Sequence, residues 1–415
     1  MTGAKKTIVL AGALDTKAAE FALVKALIEK QGMRALLVDI GILGEAGTAP
    51  DISRETVASA AGVDLDALRR GEEREKALNA MGRGLAVVAR RLCDEGRLDG
   101  ILGMGGSGGT TVATAGMRAL PLGVPKLMVS TIVSGDVRAF VGAADIVMMP
   151  SIVDVAGINR ISARVYANAA AAITGMVQAE APAIADEKAL VTASMFGNTT
   201  PCVDHARSLI ERQGCEVLVF HATGVGGRTM ETLISEGYIA ASLDITMTEL
   251  ADEVCGGEAS AGPERGLAAS RAGAPAVLVP GCVDMANFGA IEAIPKKYRR
   301  RNLYRWAPTA TLLRTNVEEN RRIGGMIAAA ANVATGPVAI LLPLRGLSML
   351  DSEGGAFWDP AADAACFDAI KANVKPDIPV IELERNINEP PFAEAAAETL
   401  LGLMRQAENQ RAAKR

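Results

Sequence analysis

The chain has 415 residues, 49% of them apolar but only 3% aromatic, and a formal net charge of −5. That length suits two or three domains of ordinary size. Scarce aromatics argue against an all-β sandwich and for buried parallel strands under close-packed helices; the acidic balance argues against a general nucleic-acid binder.

TIVLAGA (7–13) follows Lys5 and Lys6, and its apolar run stops at Asp15. It reads as a first strand rather than a signal peptide, and a cytoplasmic location is expected. No apolar run approaches the length of a membrane span. A helical stretch runs from Lys17 to Lys30, then ALLVDIG (35–41) and a charged helical region over about 53–96. DGILGMG (99–105), KLMVST (126–131), DIVMMP (145–150) and a helix over about 159–178 follow. This β-α-β alternation is the signature of a doubly wound sheet.

QAEAPAIADEK (178–188) interrupts the pattern with a proline and charge, and places a domain boundary between 1–180 and 181–415. The pattern then restarts with ALVTASM (189–195), EVLVFHATG (216–224), YIAASLDI (238–245), AVLVPG (276–281), PVAILLP (337–343) and PVIELE (379–384). LIEKQGMRALLVD (27–39) resembles LIERQGCEVLVFH (209–221) along its length, and PSIVDVAG (150–157) echoes PGCVDMAN (280–287); coincidence among common helix–strand words is the alternative to a duplication. The expected fold class is α/β: two doubly wound domains with mainly parallel sheets, related by duplication, with a cleft between them. Ligands in such folds bind beyond the carboxyl ends of the strands. The six cysteines are scattered without a CxxC, as expected of reduced thiols.

LGMGGSGGTTVATAG (102–116) holds six glycines in fifteen positions. A dinucleotide fingerprint is a poor match, because the glycines follow the third strand and no acid ends the next one; a Walker A loop fails because Gly109, not Lys, follows Gly108. The physics of an anion cradle survives. Gly105, Gly106, Gly108 and Gly109 can expose backbone amides, a helix starts beside them, and Ser107, Thr110 and Thr111 add hydroxyls. A tight turn for strand–helix packing is the alternative. GALDTK (12–17) follows the first strand and opens a helix; Gly12 lies at the turn and Lys17 is a candidate phosphate contact. Asp15 and Thr16 are candidate magnesium ligands or a helix cap. VDIGILGE (38–45), with Asp39 and Gly41, is a candidate adenosine wall, and GDVRAF (135–140) offers an arginine.

GALDTK, LVDIGILG, GMGGSGGT, TGVGGRTME (223–231), LDITMTELADE (243–253), PGCVDMANFG (280–289) and LPLRGLSMLDSEGGAFWDPAAD (342–363) together resemble one family. It is the bacterial and plant family of the tomato mosaic virus resistance protein, an ATP-binding domain group. The resemblance covers essentially the whole chain. It implies two Rossmann-like subdomains, ATP with magnesium held by the first, and a homodimer or higher homo-oligomer; it names no reaction.

The second half offers further candidates. Gly226, Gly227, Arg228 and Thr229 form a second strand–loop–helix junction able to take a substrate anion, or a structural turn. Asp244, Glu249, Asp284, Arg345 and Asp351 are candidate catalytic residues, with Asp252, Glu253, Asn287 and Glu353 near them in sequence; close carboxylates do acid–base work, hold a metal, or form a solvated face. His221 ends a strand and is a candidate acid–base residue, whereas His205 reads as structural. Two histidines and scattered cysteines argue against zinc; Cys255 and Cys282 read by default as buried thiols. KKYRRRNLYRW (296–306) is basic and aromatic, and reads as a solvated or dimer-contacting loop rather than a base-stacking surface.

Three readings follow. The first is a metabolic enzyme that binds ATP in its N-terminal half and a small anionic metabolite in the cleft. The second is a nucleotide-responsive protein without turnover. The third is an organic-acid enzyme whose glycine loop holds a substrate phosphate. None involves nucleic acid or a membrane.

Overall fold

The computed structural model describes residues 5–70, 73–180 and 188–414. The chain divides into two compact units, 1–183 and 184–415. Most of the segment at 178–188 that marks the expected boundary lies outside the described residues.

The first unit runs β1 (Thr7–Gly12), α1 (Ala18–Lys30), β2 (Arg34–Asp39), α2 (Arg54–Ala60), α3 (Leu65–Arg70), α4 (Arg74–Asp94), β3 (Gly100–Gly105), α5 (Ser107–Arg118), β4 (Lys126–Ser130), α6 (Arg138–Val141), β5 (Val147–Pro150) and α7 (Arg160–Gln178). The charged region expected as helical from 53 to 96 is three helices. All strand pairs are parallel, in the order β2-β1-β3-β4-β5. Every residue of β1 and β3 is buried, as strands covered on both faces must be. Alternate residues serve opposite faces. Val9 and Ala11 pack with Met81, Leu85 and Val112 of α4 and α5; Ile8 and Leu10 pack with Phe21, Val24 and Ile28 of α1 and Tyr166 of α7. Asn159 and Ser162 close a capping box that starts α7.

The second unit runs β6 (Leu190–Met195), α8 (Thr200–Arg212), β7 (Glu216–His221), α9 (Val225–Ser235), β8 (Ala241–Thr246), α10 (Thr248–Cys255), α11 (Ala268–Ala272), β9 (Ala276–Gly281), β10 (Met285–Phe288), β11 (Leu303–Ala307), β12 (Ala310–Arg314), α12 (Val317–Asn332), β13 (Val338–Pro343), α13 (Pro360–Asn373), β14 (Val380–Leu383) and α14 (Pro390–Lys414). Its parallel sheet has the order β7-β6-β8-β9-β13-β14. Counted from its own first strand this is 2-1-3-4-5-6, the first unit's order with one strand added. The matched segments 27–39 and 209–221 occupy the same place in each sheet, the end of the first helix and the second strand.

The second echo joins strands of different rank, β5 and β9, yet its local conformation repeats. Ile152 and Cys282 stand at the same position of the echo and share φ values of 64° and 57°; among the described residues they are the two non-glycine residues with positive φ. The antiparallel sheet β10-β12-β11 was not expected from the sequence. It makes a strand of part of the basic stretch read as a loop. Tyr304 and Trp306 of β11 pair with each other and, through Tyr304, with Phe357.

Candidate functional site

In the first unit the strand order reverses between β1 and β3, and the loops after these two strands border one pocket of about 570 Å³. Such a reversal is where doubly wound sheets bind ligands. Ala13, Asp15, Thr16 and Lys17 come from the first loop, Gly106, Ser107, Gly108 and Gly109 from the second, and Ile40, Gly41, Ile42 and Leu43 from the turn after β2. Gly106 precedes α5 and has no side chain to cap it, so the first-turn amides at Ser107–Gly109 border open space. Leu68, Ala77, Leu78, Met104 and Val112 make the facing wall apolar.

Other predicted residues of this half support the pocket from behind. A Cβ on Gly12 would lie 2.1 Å from the Phe21 ring, so this glycine permits helix–strand packing. A Cβ on Gly105 would meet the Gly109 Cα at 3.2 Å, the close approach of β3 to α5. Thr110 is fully buried, with its hydroxyl on the Gly106 carbonyl and Ser130; the Thr111 hydroxyl donates to the Ser107 carbonyl. Neither threonine borders the pocket. Asp39 is 1% exposed and also lies behind the wall: Oδ1 accepts from Leu14 N and Gly41 N, and Oδ2 pairs with Arg54 Nε at 2.8 Å.

Asp15 borders the pocket with one carboxylate oxygen already engaged. Its side chain is 4% exposed, and Oδ2 accepts from Leu43 N and Gly44 N and faces Arg54. Thr16 directs its hydroxyl to the Ala13 carbonyl at 3.5 Å. The second carboxylate on the pocket wall is Asp154, in the loop after β5. Lys17 borders the pocket but donates through Nζ to the Val155 carbonyl. Arg138 pairs instead with Asp136. The arginines on the wall are Arg69, which donates to the Ile42 carbonyl, and Arg74, whose Nη2 would lie 3.4 Å from a Cβ on Gly108. The motif reading missed Arg54, Arg69, Arg74 and Asp154. The spacing of Arg74, Ala77 and Leu78 on one helix face was the available signal.

The second unit overturns several expectations. Arg265 is fully buried and binds three carboxylates: Asp244 through two nitrogens, Glu249 at 2.6 Å and Glu231 at 3.1 Å. Glu249 Oε1 also accepts from Gly224 N and Gly227 N, so the second glycine turn is satisfied by the chain's own carboxylate and not by a substrate anion. A Cβ on Gly227 would overlap that carboxylate, at 2.2 Å, and one on Gly226 would overlap the His221 carbonyl, at 1.9 Å. Arg228 donates to the Ser260 carbonyl, and Thr229 to Val225 in its own helix.

Asp284 and Asp351 are fully buried beside Arg314, which also pairs with Asp363 at 2.6 Å. Ser348 donates to Asp284 Oδ2, and the Leu347 amide to Asp351 Oδ2. Burial pushes Asp284 up to about 7 and Asp363 up to about 8, and raises Asp351 too; neighbouring carboxylates reinforce the first two shifts. Asp252, held by Asn287, is pushed by burial to about 7. These groups are buried inside the unit. Arg345 is exposed and lies 3.3 Å from Glu353. His221 is exposed and stacks on Phe196, with ring centroids 5.4 Å apart; His205 lies 3.3 Å from Glu394. Burial raises both Cys255, to about 12, and Cys282. All six cysteines are free thiols. Among the described residues no three His, Cys, Asp or Glu side chains form a metal-binding group, and no helix is long and apolar enough to cross a membrane.

Two family models match nearly the whole length: the N-terminal domain of the Uncharacterised protein family (UPF0261) over residues 6–182, and its C-terminal domain over 188–404. The chain belongs to this family. A UPF0261 protein from Clostridium tetani is 46% identical over 96% of this chain and 99% of its own length. Another, from Rhizobium meliloti, is 46% identical over 94% of this chain and 97% of its own. The tomato (Solanum lycopersicum) ToMV resistance protein Tm-1 is 38% identical over 78% of this chain, which is 44% of the tomato protein. Among solved structures, a UDP-N-acetylglucosamine 2-epimerase from Rickettsia bellii aligns over 97% of this chain and 96% of its own, at 12% identity and a TM-score of 0.24. A likeness that weak says nothing about ligand or reaction.

Proposed function

We propose that the first unit of this UPF0261 protein binds a nucleotide, ATP with magnesium, and that this pocket is its functional centre. One observation carries the reading: a single pocket brings together an uncapped glycine turn, arginines and an apolar wall. Amides and arginine suit phosphates; Ile40, Ile42, Leu68, Ala77 and Leu78 suit a planar base. A bare phosphorylated organic acid would leave that wall without a partner. For magnesium, Asp154 is one side chain in place, with phosphate oxygens and water as further ligands, a common shell for this ion.

The burial of Asp244, Glu249, Asp284 and Asp351 favours a nucleotide-responsive protein over an enzyme whose reaction runs on those acids. The test is thermal unfolding of the wild type and of Gly108→Val with and without ATP. A ligand present at 100 times its dissociation constant stabilises by about 2.7 kcal/mol. The wild type should gain stability with ATP and the variant should not. Equal gains, or none in the wild type, would refute the assignment.

A further inference from the structure

Arg54 opens α2 and does not border the pocket, yet two of the pocket's loops are tied to it. Its side chain is 4% exposed. Nε lies 2.8 Å from Asp39 Oδ2, Nη1 lies 3.9 Å from Asp15 Oδ2, and Nη1 donates to the Gly44 carbonyl. Each aspartate in turn holds backbone. Asp39 Oδ1 accepts from Leu14 N at 3.0 Å and Gly41 N at 2.9 Å. Asp15 Oδ2 accepts from Leu43 N at 2.9 Å and Gly44 N at 3.3 Å. One guanidinium therefore joins the loop after β1 to the turn after β2 through two carboxylates and four amides. Asp39 stands at the end of β2, where a dinucleotide fold places the acid that reads ribose; here its oxygens face this bridge.

We propose that Arg54 is the positioning residue of the pocket: it fixes the 13–17 loop against the 40–44 turn without touching the ligand. The affinity part of this inference rests on the nucleotide reading; the structural part does not. A site whose walls are held in place loses less freedom on binding, so releasing the bridge should appear as weaker affinity. A merely structural arginine would act differently. Its removal would leave two buried carboxylates unpaired, and restoring charge balance would restore everything.

The experiment compares the wild type with Arg54→Met, Arg54→Lys and the triple variant Arg54→Met/Asp15→Asn/Asp39→Asn. The triple variant removes the unpaired charge, while its asparagine oxygens can still accept the four amide hydrogen bonds. Two readouts are taken: amide hydrogen exchange at Leu14, Gly41, Leu43 and Gly44 against the interior of β1, and affinity for ATP. Exchange at the four amides should rise about tenfold in Arg54→Met and in the triple variant, with β1 unchanged, as expected of a local opening. ATP affinity should fall about tenfold in the same two variants. Arg54→Lys should recover part of both. Wild-type exchange in the triple variant would overturn the proposal whether or not ATP binds, and so would wild-type affinity. A wild type that binds no nucleotide would refute the nucleotide reading, and the exchange data alone would then decide the role of Arg54.

Discussion

Glu249 Oε2 lies 2.6 Å from Arg265 Nε, and neither side chain is exposed. The other Glu249 oxygen takes the amides of Gly224 and Gly227, so the anion at the start of α9 is part of the chain itself. Arg265 holds Asp244 and Glu231 by the same fork of nitrogens. Arg265→Met should therefore leave three carboxylates without their counter-charge. Breaking a buried pair from one side costs about 3–5 kcal/mol, and denaturant unfolding of the variant should show a loss of that order. A loss below about 1 kcal/mol would contradict the arrangement.

The carboxylates around Arg314 make stability depend on pH. Asp284 and Asp363 are raised to about 7 and about 8, and Asp351 is raised as well. An unfolded Asp titrates at about 4. Between the two values the folded chain binds more protons than the unfolded one, so stability is greatest on the acid side and is lost as pH rises through about 4 to 8. The Tm should be higher at about pH 6 than at about pH 8.5, and Asp363→Asn should flatten that slope. A rising Tm over this range, or an unchanged slope in the variant, would contradict the shifts.

Two glycines of the first unit should separate fold from site. Gly12→Ala places a methyl group 2.1 Å from the Phe21 ring and should destabilise the unit by about 1–3 kcal/mol, the usual cost of overpacking. Gly108→Val meets its nearest atoms, those of Arg74 and Leu78, only at 3.4 Å and intrudes on the pocket. It should lose ligand and keep most of its stability. Denaturant midpoints and ligand titrations on both variants check the contrast, and matched behaviour would defeat it.

Arg74 offers a charge beside the glycine turn. Arg74→Gln should weaken ATP about tenfold, the order of one charged hydrogen bond, and adenosine little. Titrating both ligands against the variant measures the difference, and equal losses would place Arg74 away from the phosphates.

Strand-and-glycine logic made the fold and one pocket wall legible. Uninterrupted apolar runs such as TIVLAG and GILGMG mark strands buried on both faces, and the loops after them border the pocket. Side-chain roles were less legible, because a carboxylate near a strand end looks alike in sequence whether it faces a ligand or a buried arginine. Asp39, Asp244 and Asp284 turn inward because Arg54, Arg265 and Arg314 lie far off in sequence but adjacent in space. The sheet β10-β12-β11 was hidden for a related reason: the basic residues of 296–305 obscure the strand period, while Tyr298 and Leu303 pack with the core.

Calorimetric titration of the whole protein with ATP, with and without magnesium, tests the central claim most directly. Saturable binding at one site per chain, lost in Gly108→Val, is the predicted result. Folded, nucleotide-free protein that takes up no ATP in either condition would contradict the claim.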